Sequence, residues 1–189
     1  MSKYVKVDLS EYFNNCGISY VNDIQSGDLT GIGSSYPAEQ LPDSNSNIEV
    51  DNVPFLFPKK EVGEKNNIEF NNQVISLPKG NYRNLFVLGA AENGSYIETL
   101  IIRNKNISQK IRLGLTDWLN ETCEFNETIA YHCYGCHSTK AGIISTFEPK
   151  MWLQRIDLPE NLLVEELSLP DNPGMHIFAI TLEKEGEHA

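Results

Sequence analysis

Helical periodicity is scarce in this sequence: apolar residues seldom recur at the three- and four-residue spacing that gives a helix a buried stripe. A helical fold is therefore disfavoured. No apolar run approaches the roughly 20 residues that cross a bilayer. The opening Met1-Ser-Lys-Tyr-Val-Lys-Val-Asp8 lacks the basic-then-apolar pattern of a signal peptide. A cytoplasmic protein is expected, secreted only if a signal peptide has been removed. Basic residues are also few, 15 Lys and Arg against 26 Asp and Glu, and the net charge of -11 repels phosphate backbones and anionic lipid surfaces. Nucleic acid and membrane are thus not expected partners, whereas a glycan, another small polar ligand or a calcium ion is electrically compatible. The histidines His132, His137, His176 and His188 sit in no G-x-S-x-G, H-E-x-x-H or phosphate-loop context. The four cysteines, Cys16, Cys123, Cys133 and Cys136, are too few and scattered for a disulfide scaffold, and free thiols are expected. No repeat, linker or low-complexity tract divides the chain, so residues 1–189 read as one domain.

What the sequence does have is short apolar stretches punctuated by Gly, Pro, Asn and Asp from one end to the other. Strands are predicted at Ile48 to Val53, Asn67 to Phe70, Val74 to Leu77, Leu85 to Gly89, Tyr96 to Arg103, Ile111 to Leu115, Ile129 to Cys133, Trp152 to Leu158, Leu162 to Leu169 and Met175 to Leu182. Such a set suits an all-β, two-sheet sandwich of the jelly-roll kind. Asn84-Leu-Phe-Val-Leu-Gly-Ala-Ala91 and His176-Ile-Phe-Ala-Ile-Thr-Leu182 are apolar at nearly every position, as central strands covered on both faces must be. Leu77-Pro-Lys-Gly80, Leu158-Pro-Glu-Asn161 and Leu169-Pro-Asp-Asn-Pro-Gly174 read as turns, with Pro fixing φ and Gly or Asn supplying left-handed positions. From Asn14 to Ser46 periodicity fades, and a long N-terminal loop region is expected. A loop of that length in a compact domain binds something or is pinned by something.

Three stretches carry a resemblance: Val7-Asp-Leu-Ser-Glu-Tyr-Phe-Asn-Asn-Cys-Gly-Ile-Ser19, Gly27-Asp-Leu-Thr-Gly-Ile-Gly-Ser-Ser-Tyr-Pro-Ala-Glu-Gln-Leu-Pro42 and Asn172-Pro-Gly-Met-His-Ile-Phe-Ala-Ile-Thr-Leu182. With Val53-Pro-Phe-Leu-Phe-Pro58, Leu77-Pro-Lys-Gly-Asn-Tyr82 and Leu88-Gly-Ala-Ala91 between them, they resemble accessory β-sandwich modules appended to bacterial glycoside hydrolases. Those modules are described as carbohydrate-binding or galactose-binding-like domains. The resemblance implies a ligand-recognition module without catalysis. It also suggests a structural calcium: Asp23-Ile-Gln-Ser-Gly-Asp28 with Thr30 and Ser34 is similar to a calcium-wrapping loop of galactose-binding-like sandwiches. Asp23, Asp28 and a late glutamate, Glu183, would supply the carboxylates if the chain ends meet, and the alternative is a turn closed by Asx hydrogen bonds.

A sugar-binding face needs exposed aromatic rings beside polar groups. The candidates are Tyr36, Trp118, Tyr131, Tyr134 and Trp152, although in a sandwich of this size most such rings are expected to be core or interface residues. Cys133-Tyr-Gly-Cys136, flanked by His132 and His137, has the ligand types of half a zinc site, but no second pair follows, and an ordinary β-turn is the simpler reading. Two further functions stay open. One is a small enzyme acting on a glycan or glycosylated metabolite, whose carboxylates would leave no local signature. The other is a structural subunit of an oligomer.

Overall fold

A computed structural model describes residues 2–160 and 162–186; Asn161 of one expected turn and His188 lie outside them. In chain order the strands are β1 (Tyr4–Val7), β2 (Ile18–Ser19), β3 (Ser34–Pro37), β4 (Asn47–Val50), β5 (Val53–Leu56), β6 (Ile68–Asn71), β7 (Val74–Ala91) and β8 (Tyr96–Arg103). They continue as β9 (Ser108–Leu115), β10 (Thr128–His132), β11 (Cys136–Ser138), β12 (Gly142–Ile144), β13 (Lys150–Asp157), β14 (Leu163–Ser168) and β15 (Asp171–Lys184). The described helical structure is two short 3-10 turns, Val21–Ser26 and Ala38–Gln40. The fold is a β-sandwich, as the punctuated apolar pattern requires.

Its organising element is β7. The first half pairs with β14, which continues through β8 to β9, while the second half pairs with β15 on one side and β13 on the other. One strand therefore belongs to both layers. The expected turn at Leu77-Pro-Lys-Gly80 is absent because the strand runs straight through it. Pro78 falls where the β14 register slips between Val164 and Glu166, an irregularity that tolerates a missing N–H. Pro173 likewise lies inside β15, at the register shift between Asn172 and His176, and not in a turn.

The apolar runs are explained by two cores. Leu85, Val87, Ile177, Ile180 and Leu182 face the first core, against Leu100, Ile102, Leu113 and Leu167 of the other layer. Phe86, Leu88, Ala90, Phe178 and Ala179 face the opposite side and pack on Leu29, Tyr36, Phe55 and Phe57. Phe178 and Ala179 share that side because β15 bulges between Ile177 and Ala179. The N-terminal region is thus a lid over the second face, built from β2 and β3 with β11 and β12 and from the β4–β5 hairpin. Buried Lys60 ties it down, donating to the carbonyls of Ala38 (2.6 Å) and Leu41 (3.2 Å), and Thr181 Oγ1 donates to the carbonyl of Pro54 (2.6 Å).

Candidate functional site

The expected aromatic platform is mostly core. Tyr36 is fully buried in the lid, its hydroxyl donating to the carbonyl of Lys150 at 2.7 Å. Its ring meets Trp118 edge-on at 5.1 Å and Phe178 at 5.6 Å. Trp152, 1% exposed, donates its indole N–H to the carbonyl of Asp117 (3.3 Å). Tyr36, Trp118 and Trp152 are therefore corrected from ligand contacts to packing residues: large flat rings fill the gap between the sheet and its lid. Tyr131 is half-buried, edge-on to Phe57 at 6.0 Å.

The three expected calcium ligands do not meet. Glu183 bonds Lys3 (2.8 Å) and Asn84, its register partner on β7. Asp28 closes its own turn, accepting the N–H groups of Thr30 (3.1 Å) and Gly33 (2.8 Å). Its charge acts on Glu92, eight residues beyond Asn84 on the chain of β7, about 26 Å at roughly 3.3 Å per residue. The chain ends do come together as β1 and β15, but Asp28 belongs to the far end of the sheet. Asp23 lies within the first 3-10 turn, half-buried. Among the described residues no group of His, Cys, Asp and Glu has the convergence of a metal site.

The Cys133–Cys136 segment is the bend between β10 and β11, and both thiols point into the core. Burial pushes the Cys133 thiol up to about 12, so it stays protonated and is a poor ligand or nucleophile. Between the thiols the bend lifts one ring outward. Tyr134 is 72% exposed, yet its backbone is clamped from both sides by Gln40, which donates to the Tyr134 carbonyl (2.9 Å) and accepts its N–H (2.7 Å). Gly135, at φ 91°, supplies the left-handed step, and its N–H bonds the carbonyl of Phe147 (2.7 Å). The His132 ring lies 4.8 Å from that of Tyr134, and its Nε2 is 3.0 Å from a Glu148 carboxylate oxygen. An apolar ring face, an imidazole and a carboxylate thus stand side by side at the surface.

The family model of the AziU2-like beta-sandwich domain matches residues 2–186. The chain belongs to the AziU2-like beta-sandwich domain family. No curated protein matches it.

One further constellation in this AziU2-like domain has the composition of a nucleophile and base. Ser19 Oγ lies 2.8 Å from Ser35 Oγ and 3.0 Å from His137 Nδ1. Ser19 and His137 are buried, and burial also lowers the pKa of the His137 ring. Their bonds join β2, β3 and β11, so the trio is a polar rivet of the lid. Sequence reasoning missed Gln40 and Glu148, which lie 94 and 16 residues from the Tyr134 and His132 that they hold. The flanking histidine was visible; its partners exist only through folding.

Proposed function

We propose that this domain recognises a carbohydrate or a related small polar ligand without transforming it, and that Tyr134 is the stacking surface. The observation that carries the reading is a largely exposed ring on a backbone held by two hydrogen bonds from Gln40. An exposed aromatic kept rigid loses little entropy on binding, and pyranose rings stack on such faces. His132 and Glu148 stand where they would bond ring hydroxyls. The resemblance to accessory modules of glycoside hydrolases, galactose-binding-like ones included, supports the same ligand class.

A glycan array probed with the wild-type protein and with Tyr134→Ala tests this. Retention of a defined group of glycans by the wild type, weakened at least tenfold in the variant (about 1.4 kcal/mol), is expected. Trp118→Phe, a change within the core, should keep the same glycan profile. An array that retains no protein, or retains both Tyr134 forms equally, would sink the proposal.

A further inference from the structure

The far end of β7 holds a second constellation, separate from Tyr134. His176 on β15 pairs across from Ala90 on β7 and from Glu69 on β6, so these positions share one face of the sheet. Glu92, two residues past Ala90, continues that row and is tied to β15 by its N–H, which bonds the Gly174 carbonyl at 2.9 Å. Diagonal neighbours of this kind stand about 7–8 Å apart. The lid brings Asp28 to the same place and the segment after β9 brings Asp117; with Glu69 they surround Glu92 with negative charge. Asp117 is held by the N–H groups of Leu119 (2.8 Å) and Gly94 (2.7 Å), and Glu69 accepts from Asn15 Nδ2 (3.3 Å). Among the described residues, none of these four carboxylates takes part in an ion pair.

Two buried atoms on this face lack a hydrogen-bond partner: Glu92 Oε2 and His176 Nε2. The protonation of the ring follows from its neighbour. Asn67 uses its Nδ2 as donor to Asn15 Oδ1 (2.9 Å) and the Asn15 carbonyl (3.3 Å), so its Oδ1 faces His176 Nδ1 at 2.9 Å and accepts the proton carried there. Nε2 is then a bare lone pair. Burial holds the ring neutral, and desolvation with the nearby carboxylates raises Glu92 to about 7. Asn93 bonds the Glu92 carboxylate, yet Glu92 Oε2 and His176 Nε2 stay without a donor, and among the described residues no cation pairs with the four carboxylates. No three His, Cys, Asp or Glu side chains among the described residues draw close enough for a metal ion. An ammonium ion needs no such three-ligand shell, because it brings its own N–H donors to two separate acceptors.

We propose that Glu92 and His176 form a binding site for a protonated primary amine, whose N–H groups reach Glu92 Oε2 and His176 Nε2 within the field of Asp28, Glu69 and Asp117. The amine binds the ionised form of Glu92. Its apparent affinity therefore rises up to tenfold per pH unit below pH 7 and levels off above it. The titratable groups that act on Glu92 are Asp28 from the lid, Glu69 from β6 and Asp117 after β9, and His176 on β15 stands opposite Glu69 in the register.

Isothermal titration and thermal melting with methylamine and with N-acetyl-lysine amide test the site and separate a free small amine from a lysine side chain. Tetramethylammonium, calcium chloride and potassium chloride at matched ionic strength are the controls. Saturable stabilisation by at least one amine, absent with tetramethylammonium and potassium and with its affinity rising from pH 5.5 to pH 8, is expected. Glu92→Gln keeps the shape of the side chain, and its melt without ligand reports whether it folds. It should bind at least tenfold more weakly and without the pH dependence, whereas Tyr134→Ala should bind as the wild type does. Equal stabilisation by amines and tetramethylammonium would reduce the effect to screening. A larger effect from calcium would make the site a metal site, and unchanged binding in Glu92→Gln or no saturable response to either amine would overturn the proposal.

Discussion

His176 is kept neutral down to about pH 3 because its ring is enclosed in β-sheet, whereas Glu92 keeps its proton up to about pH 7 because it is buried among Asp117, Asp28 and Glu69. These shifts have opposite consequences for stability. For Glu92 the folded state binds the proton more tightly than the unfolded chain, whose value is 4.5. Its contribution is complete below pH 4.5 and lost as pH rises through 7. His176 falls from 6.5 to about 3, so its contribution is complete above pH 6.5 and lost as pH drops toward 3. Between 4.5 and 6.5 the two slopes oppose each other. Glu92→Gln should abolish the loss on the alkaline side. Urea unfolding is expected to find the variant more stable than wild type at pH 8, by about 1–3 kcal/mol, with a much smaller difference at pH 5. A deficit of equal size at both pH values would show that the Glu92 charge is compensated in the fold. The thiols make a second test. Exposed Cys123 should alkylate quickly in the native protein, and Cys133 and Cys136 only on unfolding, as read by mass spectrometry. Glu92 itself was hard to see in the sequence: one acid at the end of an apolar run looks like a strand end, and the charges that perturb it come from three other parts of the chain.

At the level of elements, β7 and β15 depend on a close approach. A Cβ at Gly89 would lie 2.6 Å from the backbone oxygen of His176, and no side-chain motion relieves a clash with a carbonyl. Gly89→Ala should cost about 1–3 kcal/mol in chemical denaturation. Trp152→Ala should cost about 3–5 kcal/mol by opening the second core. That identity as packing was ambiguous in the sequence, because Trp118, Trp152 and Tyr36 satisfy the requirements of a sugar platform and of a sheet-to-lid interface equally well. The central strands were legible from their unbroken apolar runs, which only a sheet covered on both faces can bury. Their full length was not. Pro78 and Pro173 read as turn residues, and whether a proline ends a strand or sits at a bulge is decided by the partner strand's register. The region from Asn14 to Ser46 was recognisable as irregular and as either ligand-binding or pinned; that apolar packing of Leu29, Tyr36, Ala38 and Leu41 holds it down required the structure.

For the whole molecule, the order of the chain matters more than any single contact. β1 pairs with β15, the first described strand with the last, and β15 also receives β6 and β7. Such non-local pairing leaves β1 and β6 without a sheet partner, and one edge of β7 open, until the C-terminal strand is present. Stopped-flow refolding in the millisecond-to-second range is expected, as for other sandwiches. A chain truncated before Met175 should lack native near-ultraviolet dichroism, since both cores lose a wall.

The β1–β15 pair also decides how the domain carries load. The strands are antiparallel with Tyr4 opposite Glu183, and Lys184 donates its N–H to the carbonyl of Lys3 at 2.9 Å. A tether pulling on Lys3 and Lys184 would open this pair from its end, one bond at a time, and not shear all its bonds together. Optical tweezers holding the protein at these positions should record a low first rupture force as β1 peels away, followed by a higher one when β15 leaves the centre of the sheet.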